Sequence, residues 1–105
     1  MNALAASSYL NDPGQILMAT EVVENRMLNL RLANLDGQPT VLILKDTEGK
    51  ILFTKTFKWR YGYSIELDLS KLPEGRYTLS VTQKKKLVRQ VMTLNEEGIL
   101  LSAAK

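Results

Sequence analysis

The chain has 105 residues, 45% of them hydrophobic and 24% charged, with Lys plus Arg 14 against Asp plus Glu 11 and a formal net charge of +3. This is the balance of one soluble globular domain. It excludes wholesale disorder, a collagen-like chain and the strong basicity of a dedicated nucleic-acid binder. With no Cys and no His, the chain has no disulfide, zinc–thiolate site or thiol nucleophile, and it lacks the side chain most used as a general base near neutral pH. No cofactor and no metal is expected.

The first residues, Met1 to Ser8, carry no basic n-region and no long apolar run, so they are not an intact signal peptide. Ala3-Leu4-Ala5 fits the small-x-small pattern before a cleavage site. The start is therefore either the trimmed end of an export signal or a disordered alanine-rich segment. Residues 1–14 are expected to be flexible and 15–105 to form a single domain. No window approaches the roughly 20 apolar residues that span a bilayer.

Turn punctuation then cuts the chain at Asp12-Pro13-Gly14, Asp36-Gly37, Glu48-Gly49, Pro73-Glu74-Gly75 and Glu97-Gly98. The intervening runs have strand rather than helix length. Gln15 to Val23 lacks clean alternation, which predicts bulges or an edge position. Thr20 to Leu35 could be written as a helix capped by Thr20, but Leu28, Leu30 and Leu32 alternate with Asn29 and Arg31, which favours a strand. In Val41-Leu42-Ile43-Leu44 both parities are apolar, as in a central strand, and Val41 and Ile43 are assigned to the core. Ile65, Leu67 and Leu69 alternate with Glu66 and Asp68, and Tyr77, Leu79 and Val81 with Thr78 and Ser80. Leu87 to Leu94 again lacks clean parity. Seven or eight short strands at this spacing predict an all-β sandwich or barrel with a core of Leu28, Leu30, Leu32, Val41, Ile43, Phe53, Leu67, Leu69, Leu72, Tyr77, Leu79 and Val81.

Two stretches carry a resemblance: Thr40-Val41-Leu42-Ile43-Leu44-Lys45-Asp46-Thr47-Glu48-Gly49-Lys50-Ile51-Leu52, and Leu67 through Val81 with its Leu67-Asp68-Leu69-Ser70-Lys71-Leu72-Pro73-Glu74-Gly75-Arg76-Tyr77 core. Together they resemble the V-x-V-x-D-x-x-G-K-V-V … L-D-L-S-x-L-P-x-G-x-Y-x-L-x-V pattern of immunoglobulin-like sandwich domains in exported Bacteroidetes proteins, over roughly residues 26–92. Two groups share it: small secreted or periplasmic proteins of unassigned function, and C-terminal sorting domains of type IX secretion cargo. The resemblance implies an immunoglobulin- or fibronectin-type-III-like antiparallel sandwich and a secreted or periplasmic location. It also implies a non-catalytic role in protein or ligand binding or as a structural component. The alternative it offers is a type IX sorting-type module, with a carbohydrate-binding module more distant. In this pattern Asp46 bonds the backbone of a hairpin turn with Gly49 in the left-handed region, and Leu72, Gly75 and Tyr77 resemble the tyrosine corner of sandwich domains. One departure stands out. Sorting domains end soon after a Lys-rich last strand, whereas here Lys84-Lys85-Lys86-Leu87-Val88-Arg89 is followed by Met92-Thr93-Leu94 and a terminal hairpin through Leu101. That feature fits the free-standing proteins, and no cargo is visible in the chain.

The densest unusual composition is Phe57-Lys58-Trp59-Arg60-Tyr61-Gly62-Tyr63, which holds four of the seven aromatic residues. Trp59, Arg60, Tyr61 and Tyr63 are the candidate partner or ligand contact, because exposed rings with Arg form recognition platforms. The competing reading is that the odd-numbered rings share a face with Ile51 and Phe53 and cap the core. A protein or a surface glycan is the expected partner, and nucleic acid is not expected. The Lys84–Lys86 run reads as a solvated hairpin tip. Glu66 and Asp68 read as solvent-facing alternates of the core leucines. Asp46 and Glu48 lack the spacing of a calcium loop. No residue is assigned a catalytic role, and the protein is read as not an enzyme.

Overall fold

In the computed structural model, which describes residues 14–24 and 26–105, eight strands build the domain: β1 (Leu17–Glu24), β2 (Met27–Ala33), β3 (Thr40–Asp46), β4 (Ile51–Phe57), β5 (Tyr63–Asp68), β6 (Gly75–Gln83), β7 (Lys86–Asn95) and β8 (Gly98–Leu101). Apart from Gly14, the segment expected to be flexible lies outside the described residues, and so does Ala3-Leu4-Ala5. No helix among the described residues is long and apolar enough to cross a membrane.

All pairings are antiparallel. They form a three-stranded sheet ordered β1-β2-β5 and a five-stranded sheet ordered β4-β3-β6-β7-β8. This is a fibronectin-type-III-like immunoglobulin sandwich with β8 added at one edge. Thr20 to Leu35 is not a helix: its described residues take in the second half of β1, all of β2 and the start of the loop that follows. The irregularity expected before Val23 is a register shift between Val22 and Glu24 on β1, an edge strand.

The core lies between the sheets. Leu28, Leu30, Leu32, Leu67 and Leu69 come from one side, and Leu42, Leu44, Tyr77, Leu79, Val81, Val88, Met92 and Leu94 from the other. Phe53 and Leu72 are half-buried against it. Val41 and Ile43 are not core residues. They lie on the outer face of β3, and the inward pair is Leu42 and Leu44, placed opposite Val81 and Leu79. The phase is set by the neighbour: β6 alternates cleanly, and registered strands put directly opposed side chains on the same face.

The stretch from Leu87 to Leu94 is also more regular than its composition suggests, with Val88, Gln90, Met92 and Leu94 all buried. Gln90 hid the alternation by placing an amide at a core position. That amide ties three segments together, accepting from the Thr20 hydroxyl across the sandwich (2.7 Å) and donating to the Ser102 carbonyl. A buried polar group with its bonds made costs little, whereas one left unpaired costs about 1–3 kcal/mol. Beyond β8, Lys105 exchanges two backbone bonds with Arg89 (2.7 and 2.9 Å), so the last residues continue along the edge of β7.

Candidate functional site

The aromatic segment does not run as one strand. β4 ends at Phe57 and β5 begins at Tyr63. Between them Trp59 takes a φ of +66°, a left-handed conformation that brings Cβ against the following carbonyl and costs an L-residue about 1–2 kcal/mol. Alternation does not carry across such a residue, so the four rings divide. Phe57 and Tyr63 turn inward and stack, with ring centroids 4.0 Å apart at 15°. Trp59 and Tyr61 turn out and are 77% and 71% exposed. For these two the core-capping reading is overturned; for Tyr63 it is half right.

The loop is held rather than loose. The Trp59 amide donates to the Gly37 carbonyl (2.9 Å), the Gly37 amide to the Arg60 carbonyl (3.1 Å) and the Leu35 amide to the Tyr61 carbonyl (3.1 Å). The loop after β4 is thus laced to the loop after β2. Gly37 sits at φ +83°, and a Cβ there would lie 3.3 Å from the Tyr61 hydroxyl oxygen, so the phenol rests on a position that favours glycine twice over. Asp36 caps its own turn by accepting from the Gln38 amide, and it pairs with Lys86 on β7 at 3.7 Å, tying this base to the Lys-rich tip.

Cationic side chains stand over the outward Trp59 and the inward Tyr63, while Asp36 supplies a carboxylate at the base of the loop. The Lys58 ammonium stands 5.6 Å from the Trp59 ring centroid, and the Arg60 guanidinium 6.0 Å from that of Tyr63, within the range of cation–π attraction. A shallow depression at Arg60 is lined by Arg31, Gly62, Tyr63 and Ser64 among others; neither Trp59 nor Tyr61 lines it, and it has no carboxylate in its lining. Arg31 belongs to β2 and is registered opposite Ser64. Nothing in the local sequence announces Arg31 or Gly37 as members of this site, because only strand pairing and loop lacing bring them there.

The remaining singled-out residues do structural work. The Tyr77 hydroxyl donates to the Pro73 carbonyl at 2.6 Å, with the ring buried, Leu72 half-buried and Gly75 opening β6 at φ +148°. Asp46 Oδ1 accepts from the amides of Glu48 and Lys50, both at 2.9 Å, and Gly49 has φ +84°. Lys84 and Lys85 form the tip between β6 and β7. Glu66 and Asp68 are exposed on β5. The hydroxyl and amide of Ser70, both donating to Asp68, hold its carboxyl below the usual range.

Comparison with known proteins gives one family model, described as the secretion system C-terminal sorting domain, matching residues 23–94. No curated protein matches the chain. The matched span runs through β2 to β7 and includes both loops that build the aromatic site, while β8 lies beyond it. The match favours the sorting-type module over a free-standing binding protein. The chain belongs to the family of secretion system C-terminal sorting domains.

Proposed function

We propose that this domain is a non-catalytic sorting module that marks a polypeptide for export by the type IX system of Bacteroidetes, and that it meets its partner through Trp59, Arg60, Tyr61 and Tyr63. The observation that carries the reading is the family match across β2–β7. The outward rings support the choice of surface, since Trp, Tyr and Arg are the residue types enriched among the anchors of protein interfaces. The carboxylates support a non-catalytic role. Glu66 and Asp68 are exposed at a depression whose other lining residues are all apolar, so no second polar group faces them there, and Asp68 is engaged by the turn at Ser70. The test is a fusion of the whole 105-residue chain to the C-terminus of a periplasmic reporter, expressed in a type IX-competent bacterium. The reporter is expected outside the cell with the domain and in the periplasm without it. Equal distribution of the two reporters refutes the reading.

A further inference from the structure

Trp59 is the wrong residue for its backbone. Glycine, or failing that asparagine, suits φ +66°, and an indole that projects into solvent returns little packing to the fold. Strain of this kind persists where the surroundings fix it, and it concentrates at ligand clamps. The surroundings here are the three bonds to Leu35 and Gly37. They fix the backbone from which Trp59 and Tyr61 project, so the cost of ordering the loop is met before a ligand arrives.

We infer that this platform binds a carboxylated sugar chain, its pyranose rings lying against Trp59 and Tyr61 and its carboxylates meeting Arg60 and Arg31. The inference deepens the reading of these residues as the contact surface and does not depend on export. Three features select the chemistry. Exposed rings offer flat apolar faces, which match the C–H face of a pyranose. The guanidiniums of Arg60 and Arg31 flank an open depression that contains no carboxylate of its own, and a planar guanidinium matches a carboxylate in two-point contact. The Trp59 amide and the Arg60 and Tyr61 carbonyls are already bonded to the neighbouring loop, so the platform itself offers few main-chain groups to a peptide strand. A sugar needs none of them. The shallowness of the depression suits a chain passing across it rather than a monosaccharide enclosed in it.

Trp59 is the only tryptophan, so its emission reports on this ring alone. The intact protein is titrated with tetragalacturonate, and maltotetraose serves as the uncharged comparison. The expected result is a blue shift and protection from iodide quenching with tetragalacturonate, weakened by salt and by at least roughly tenfold in Arg60→Ala or Arg31→Ala. Maltotetraose should bind at least as weakly as those variants do. Trp59→Gly, followed by calorimetry, should lose the binding heat while melting no lower than the parent. Four results overturn the proposal: no response at millimolar tetragalacturonate, an equal response to maltotetraose, stronger binding of a polyglutamate peptide or of oligo-dT, or a Trp59→Gly protein that melts well below the parent. None of these measurements involves export, so failure of sorting and failure of sugar binding are read separately.

Discussion

The turn after β3 and the loop after β4 each place a residue in the left-handed region, and they do so in opposite ways. In the first, Gly49 takes φ +84° in open space, and one carboxylate oxygen of Asp46 collects the amides of Glu48 and Lys50. Every requirement is met within five residues. In the second, a tryptophan takes φ +66°, and the bonds that hold it come from Leu35 and Gly37, more than one strand away. The first turn is what the backbone would choose, because Asp and Gly each relieve a local cost. The second accepts a local cost and recovers it through tertiary bonds. Natural chains agree with local rules almost everywhere, and a violation without a packing reward is where function is sought.

The strongest way to break this comparison is at the seat of the second loop. Gly37→Ala imposes a left-handed alanine and forces the Tyr61 phenol to move by a few tenths of an ångström. A loss of about 2 kcal/mol is expected in chemical denaturation, together with greater mobility of Trp59 in time-resolved anisotropy. An unchanged midpoint would show that the two loops are not mechanically joined. Asp46→Ala probes the self-sufficient turn. Two exposed amides return to water, and the expected cost is about 1 kcal/mol, with the emission of Trp59 left as it was because nothing connects this turn to the platform.

Trp59→Gly reverses the sign. Relief of the left-handed penalty opposes the added freedom of glycine in the unfolded chain, so stability should stay level or rise by up to about 1 kcal/mol. Thermal unfolding followed by circular dichroism suffices to measure it. A clear loss would mean that the indole supports the fold and that the two turns differ less than their geometry suggests.

The same contrast explains what could be read from the residues alone. The Asp46–Gly49 turn and the parities of β2, β5 and β6 were legible because their causes are local. The phase of β3 was not, since Val41 to Leu44 are all apolar and only registry with Leu79 and Val81 decides which face is buried. β7 was obscured by a glutamine whose partners are Thr20 and Ser102, far away in the chain. At the site, Trp59, Arg60, Tyr61 and Tyr63 stood out by composition. The division into two inward and two outward rings depends on one dihedral angle, which no periodicity reports. Arg31 and Gly37 join the site only through folding.

The smallest effect belongs to a third turn of the self-sufficient kind, at the end of β5. Asp68 accepts from the hydroxyl and the amide of Ser70, the hydroxyl being the larger influence, with a further pull from the Lys71 charge. Together these outweigh the slight opposing effect of desolvation and lower its carboxyl below the usual range. A depressed folded-state value means that the folded protein prefers the carboxylate. The contribution to stability is therefore complete above the ordinary Asp range and disappears as pH falls through the lower, folded-state value. Because the group is fully exposed, the effect is best read as a titration and not as an energy. In a carboxyl-carbon NMR titration, Asp68 should reach its midpoint below that of an ordinary aspartate. Ser70→Ala should move it back towards the ordinary value without reaching it, since the amide at position 70 remains. The outward tryptophan should not register the change. If Asp68 titrates at or above the ordinary range in the parent protein, this turn is not held by its own carboxylate, and the claim that local turns close on themselves fails at its most accessible test.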